Sequence, residues 1–90
     1  MYKLELSATA YRILKSGKLQ PKDNAAVKNR ILSLQNDPRS PGCGKLKGFD
    51  KNYYRVRQGN YRVVYEIKDT EKIVVIVYVG HRRDVYRKLG

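Results

Sequence analysis

Tyr54-Arg55-Val56-Arg57-Gln58-Gly59-Asn60-Tyr61-Arg62-Val63-Val64-Tyr65 reads as two extended runs joined by a tight turn. Gly59-Asn60 has the conformational tolerance that a two-residue hairpin loop demands, and the pattern predicts strands over 53–58 and 61–68. So short a loop fixes the register: Gln58 opposes Tyr61, Arg57 opposes Arg62, and Arg55 opposes Val64. Alternation then sends Tyr54, Val56, Val63, Tyr65 and Ile67 to one face, and Arg55, Arg57, Arg62 and Glu66 to the other. The first set is a core surface. The second puts three guanidiniums on rigid strands, two of them directly opposed. Like charges opposed across strands destabilise a sheet, and sequences break such local rules at functional sites. A bound phosphate relieves the repulsion, because arginine forks match it in shape and charge. The alternative is three solvated arginines on an exposed face, one of them neutralised by Glu66.

Working outward, Ile73 to Val79 is continuously apolar and reads as a central strand covered on both faces, with Gly80 ending it. Upstream, residues 2–6 alternate as a half-buried strand should. Ser7 can N-cap a helix over 8–16 that buries Ala10, Ile13 and Leu14, and Gly17 stops it. Pro21 suits the first turn of a second helix to about Asn36. There Val27, Ile31 and Leu34 form one stripe, widened by Leu32, before Pro38 forces the end. Residues 37–44 are loop by composition. The expected fold is α+β, in the order β-α-α-β-β-β with a C-terminal tail or short helix. A helical hairpin packs on one face of a mainly antiparallel four-stranded sheet, and residues 1–90 are expected to make one domain.

Charge narrows the function. The 90 residues hold 20 Lys+Arg against 8 Asp+Glu, a net +12. Self-repulsion of that size points to a polyanionic partner: nucleic acid, an acidic protein or an anionic membrane surface. The membrane reading is the weakest, because the basic residues are not gathered on one long amphipathic helix. No run of residues is long and apolar enough to span a bilayer. The opening Met1-Tyr2-Lys3-Leu4-Glu5-Leu6 lacks a secretory leader, so a cytoplasmic location is expected. Cys43 and His81 are the only cysteine and histidine, too few for a structural zinc.

Lys45, Lys47 and Lys51 add point charges suited to gripping a phosphodiester backbone, or a solvated edge. Beyond Gly80, His81 is a candidate general acid or base and Tyr86 offers a phenol and a stacking face; taken singly, each is more readily a structural residue. Gly42-Cys43-Gly44 lacks the continuation of a nucleotide-binding loop, and no carboxylate cluster suggests magnesium. No cofactor is expected. Arg, Lys, His and Tyr without a metal suit cleavage of RNA by its own 2′-hydroxyl: the protein deprotonates the nucleophile, stabilises the phosphorane and assists the leaving oxygen.

Lys45-Leu46-Lys47-Gly48, the hairpin, and Val79-Gly80-His81-Arg82-Arg83-Asp84-Val85-Tyr86 together resemble the RelE/ParE toxin superfamily over nearly the whole chain. The ending Gly-His-Arg-x-x-Val-Tyr is similar to the RelE branch. The resemblance implies a ribosome-dependent endoribonuclease that cuts mRNA in the A site without a metal and is neutralised by an acidic antitoxin. It implies that Arg62 binds phosphate, that Arg82 stabilises or protonates at the scissile phosphate, and that Tyr86 orients or stacks on substrate. Lys45, Lys47, Arg55, Arg57 and Arg83 then grip mRNA or rRNA. Where some members carry a lysine thought to act as base, this chain has Arg55 and Arg57, which keep their protons at physiological pH. The base role passes to Tyr86 or His81. A ParE-like gyrase poison and a non-toxic RNA-binding module are the alternatives.

Overall fold

The computed structural model describes residues 1–81. The expectations for Arg82, Arg83 and Tyr86, and for a tail or short helix, concern residues outside that range. The elements are β1 (Lys3–Leu6), α1 (Ala8–Lys15), α2 (Pro21–Ser33), β2 (Gly44–Lys45), β3 (Tyr53–Gln58), β4 (Tyr61–Lys68) and β5 (Ile73–His81). The sheet has five strands in the order β1-β5-β4-β3-β2. β1 runs parallel to β5 and every other pairing is antiparallel.

Ser7 starts α1 as expected, its side chain accepting a hydrogen bond from the Ala10 amide at 3.1 Å. The same hydroxyl donates to the Val77 carbonyl at 2.8 Å, so one cap also pins the helix to β5. Gly17 leaves α1 with φ +78°, a left-handed value that favours glycine. The Asn24 amide donates to the Leu14 carbonyl at 2.9 Å and ties α2 to the end of α1. Val27, Ile31 and Leu34 then meet Val56, Val63, Tyr65, Ile67, Val74, Ile76 and Val79 in the core between helices and sheet. Tyr65 is fully buried there and donates its hydroxyl to the Pro38 carbonyl at 2.6 Å. Burial pushes its phenol pKa well above the ordinary tyrosine range.

The architecture is the expected α+β arrangement, with three differences. The fifth strand, β2, is two residues long and is held by its pairing with β3. α2 ends at Ser33, because its last carbonyls are taken by short-range turn bonds from Leu34 to Asp37. β5 does not stop at Gly80. Gly80 pairs with Arg62 and His81 with Tyr61, so the strand continues until β4 has no more residues to offer. Among the described residues no helix is long and apolar enough to cross a membrane.

Candidate nucleic-acid interface

The hairpin register is the one the turn dictates: Arg57 pairs with Arg62, Gln58 with Tyr61 and Arg55 with Val64. Val56, Val63, Tyr65 and Ile67 lie in the helix-side core, and Tyr54 packs against it. Arg55, Arg57 and Arg62 therefore share the opposite face. Arg57 is exposed, while Arg55 and Arg62 are half-buried. On its other flank Arg62 faces Gly80, and the Tyr78 ring lies over the place a Gly80 side chain would take.

The three guanidiniums are not equivalent. Arg55 folds outward over β2, its guanidinium atoms 3.1–3.2 Å from where a β-carbon on Gly44 would stand. That glycine gives the planar group a place to lie at the sheet's outer edge. Arg57 and Arg62 remain the directly opposed pair. Glu66 follows Arg62 by four residues on the same strand, a separation of about 13 Å, and so sits far from that pair. The Arg39–Asp69 ion pair, at 2.8 Å, belongs to another part of the molecule, joining the loop after α2 to the β4–β5 turn. Asp69 also accepts from the Tyr2 hydroxyl at 2.9 Å. The Arg39 guanidinium and Tyr2 together hold its pKa down at about 2.

The arginine face also carries apolar side chains that periodicity did not reveal. Leu46 and Val64 are buried there, with Phe49, Tyr53, Val77 and Tyr78 packed around them. A bulge in β5 adds Tyr78 to it: Val64 pairs with Tyr78 but Tyr65 pairs with Ile76, leaving Val77 without a cross-strand partner on β4. Both Val77 and Tyr78 then contribute to this patch. The sequence signal was a lone tyrosine in an otherwise aliphatic run.

The remaining expected site residues separate. Lys45 pairs with Tyr54, which packs toward the helices, so register sets it on the face opposite Arg55. Lys47 is exposed in the loop after β2. His81 pairs with Tyr61, their rings in edge contact at 6.0 Å. Like Val79 two residues earlier, His81 belongs to the helix side. There it borders a groove of about 690 Å³ that Thr9, Arg12, Ile13 and Leu19 also line. The structure thus brings Arg57 and Arg62 together, sets Arg55 at their edge, and leaves His81 across the sheet. Chemically, the pair offers paired forks for one phosphate beside an apolar surface able to receive a base.

Residues 5–86 match the family described as the ParE toxin of the type II toxin–antitoxin system parDE. The chain belongs to the RelE/ParE superfamily of type II toxins. Toxin RelG of Mycobacterium tuberculosis is 35% identical over 88 residues, 97% of this chain and 98% of that protein. The toxin–antitoxin complex RelBE2 of M. tuberculosis gives a TM-score of 0.77 at 33% identity, covering 90% of this chain and 98% of that one. The isolated E. coli RelE toxin gives 0.75 at 25% identity, covering 99% of this chain and 95% of its own.

Proposed function

We propose that this toxin is a ribosome-dependent endoribonuclease that cuts translated mRNA in the cytoplasm by attack of the 2′-hydroxyl on the adjacent phosphate. The observation that carries the reading is the Arg57–Arg62 pair on the face away from the helices. Similarity to RelE and RelG supports the target. Arg62 takes the charge that builds on the phosphorane, and Arg57 and Arg55 hold the backbone on either side. Lys45, Lys47 and Arg83 grip RNA more peripherally. Arg82 shares the transition-state charge, and Tyr86 orients the nucleophile or accepts its proton, both assigned from the sequence motif. His81 lies across the sheet from Arg62, out of hydrogen-bond reach of a phosphate held there, so proton transfer falls to Tyr86.

The 2′-oxygen forms a bond to phosphorus while the bond to the 5′-oxygen breaks. The nucleophile's proton goes to the base and a proton is delivered to the leaving oxygen, leaving a 2′,3′-cyclic phosphate and a 5′-hydroxyl. An acidic antitoxin covers this basic surface, in keeping with the relative crystallised as a toxin–antitoxin complex.

Induced expression followed by primer extension is the test. Cuts confined to translated regions, lost in Arg62→Ala, are expected. The family-model match favours one rival, inhibition of DNA gyrase. It requires supercoiling to be inhibited by purified toxin while translated mRNA stays intact.

A further inference from the structure

Tyr78 has no role in the assignments above, yet its placement is specific. It is half-buried on the arginine face, directly across from Val64, where the bulge delivers it. Its ring runs along β5 instead of standing off the sheet. Cε2, Cζ and Oη lie 2.9, 3.1 and 3.1 Å from the point where a β-carbon on Gly80 would stand. A side chain at position 80 would collide with the ring, so glycine is what lets it lie down. Glycine inside a strand weakens the strand, and it marks places where another group must approach closely. Gly80 is also the cross-strand neighbour of Arg62, about one strand spacing (~4.8 Å) away. The hydroxyl end of the ring therefore reaches the row occupied by the half-buried arginine. A residue that only filled the patch could be aliphatic, like Val64 and Val77 beside it.

We propose that Tyr78 is the platform on which a nucleobase of the RNA stacks while Arg62 holds the adjoining phosphate. This rests on the endoribonuclease reading and names a specificity-determining residue for it. An aromatic ring lying on a sheet beside a cation is a recurrent way to receive a single-stranded base. The spacing between the two rows is comparable with the reach from a phosphate to its own base. Every base has a π-face, so the platform grips unstacked RNA and prefers bases that stack strongly, purines above pyrimidines.

The test is single-turnover cleavage by the full chain on ribosomes programmed with a defined mRNA. Tyr78→Leu keeps apolar volume in the patch and removes the ring. It raises the half-saturating toxin concentration about 5- to 150-fold, with the maximal rate changed less. Tyr78→Phe restores binding. Gly80→Ala, which displaces the ring, reproduces the loss, and adding it to Tyr78→Leu costs little more. An mRNA made abasic at one nucleotide beside the scissile phosphate weakens the wild type similarly and leaves Tyr78→Leu indifferent. Thermal melts establish that each variant is folded. If Tyr78→Leu binds like the wild type, or loses as much again on the abasic mRNA, the platform is refuted. Arg62→Ala separates the two levels. If it abolishes cutting while the ring and abasic changes do nothing, only the platform falls. If the wild type cuts no mRNA, or Arg62→Ala cuts normally, the endoribonuclease reading falls and takes the platform with it.

Discussion

Replacing Arg57 with glutamine should make the protein more stable and less active. Arg57 and Arg62 are paired positions on adjacent antiparallel strands. At such positions the β-carbons are about 4.5–5.5 Å apart, and opposed like charges cost about 0.2–1 kcal/mol. Glutamine keeps the extended side chain and removes the repulsion. For a domain of this size 1 kcal/mol shifts the melting temperature by about 4–8 °C, so the gain is about 1–8 °C at low ionic strength. In 1 M salt the screening length falls to about 3 Å and the gain should shrink towards zero. Activity moves the other way. A charge-assisted contact to a phosphate oxygen is worth about 1.5–3 kcal/mol, so cleavage on programmed ribosomes should fall about 10- to 150-fold. Melts in low and high salt, run beside the cleavage assay, measure both. An unchanged or lower melting temperature at low salt would show that the pair is not repulsive in the free protein. Greater stability with full activity would show a solvated arginine face that binds no phosphate.

Tyr65→Phe removes the buried hydroxyl that donates to the Pro38 carbonyl. It should cost about 1–3 kcal/mol in urea denaturation, because the acceptor is left without its donor. Asp69 makes stability depend on acidity: its pKa is held at about 2 against an ordinary 3.8, chiefly by Arg39. Its contribution is complete above pH 3.8 and is lost as pH falls through about 2. Asp69→Asn should flatten that part of the melting-temperature profile, and an unchanged profile would exclude the Arg39–Asp69 pair as its source. Association with an acidic antitoxin should be fast at low salt and slow steeply as salt rises, measured by stopped flow. Salt-independent rates would mean that the charge of +12 does not steer the encounter.

The hairpin was legible residue by residue, because a two-residue turn admits one register and Gly59, at φ +60°, takes the conformation such turns require. The helices were legible from Ser7, Pro21 and the Val27-Ile31-Leu34 stripe for equally local reasons. What escaped the sequence depends on partners distant in the chain. β2 has no pattern of its own and exists because Gly44 and Lys45 find Arg55 and Tyr54. Gly80 reads locally as a stop, yet β4 still offers Arg62 and Tyr61 as partners. Tyr78 joins the apolar patch on the arginine face through a bulge of one residue, which no alternation pattern announces. His81 follows Gly80 in a motif that suggests shared chemistry with Arg62, but alternation past Val79 turns it to the helix side. The candidate site was therefore readable where it is built from the hairpin, and not where it depends on β5.

β5, held between β1 and β4, is the last described element to be synthesised. β1 and α1 are made first, but β1 pairs only with β5, and the cap of α1 is fastened to Val77. Until residues 73–81 leave the ribosome, the first fifth of the chain has no sheet to dock on, and the β4 flank lies open beside Arg62. The nascent hairpin can display its arginines, but it cannot present Gly80 and Tyr78 next to them. At about 5–20 residues per second, that unfinished state lasts on the order of a second per molecule. Throughout that interval an exposed strand edge invites capture by another chain or by a protease. On the proposed function, the site around Arg62 is therefore complete only once β5 has joined β4.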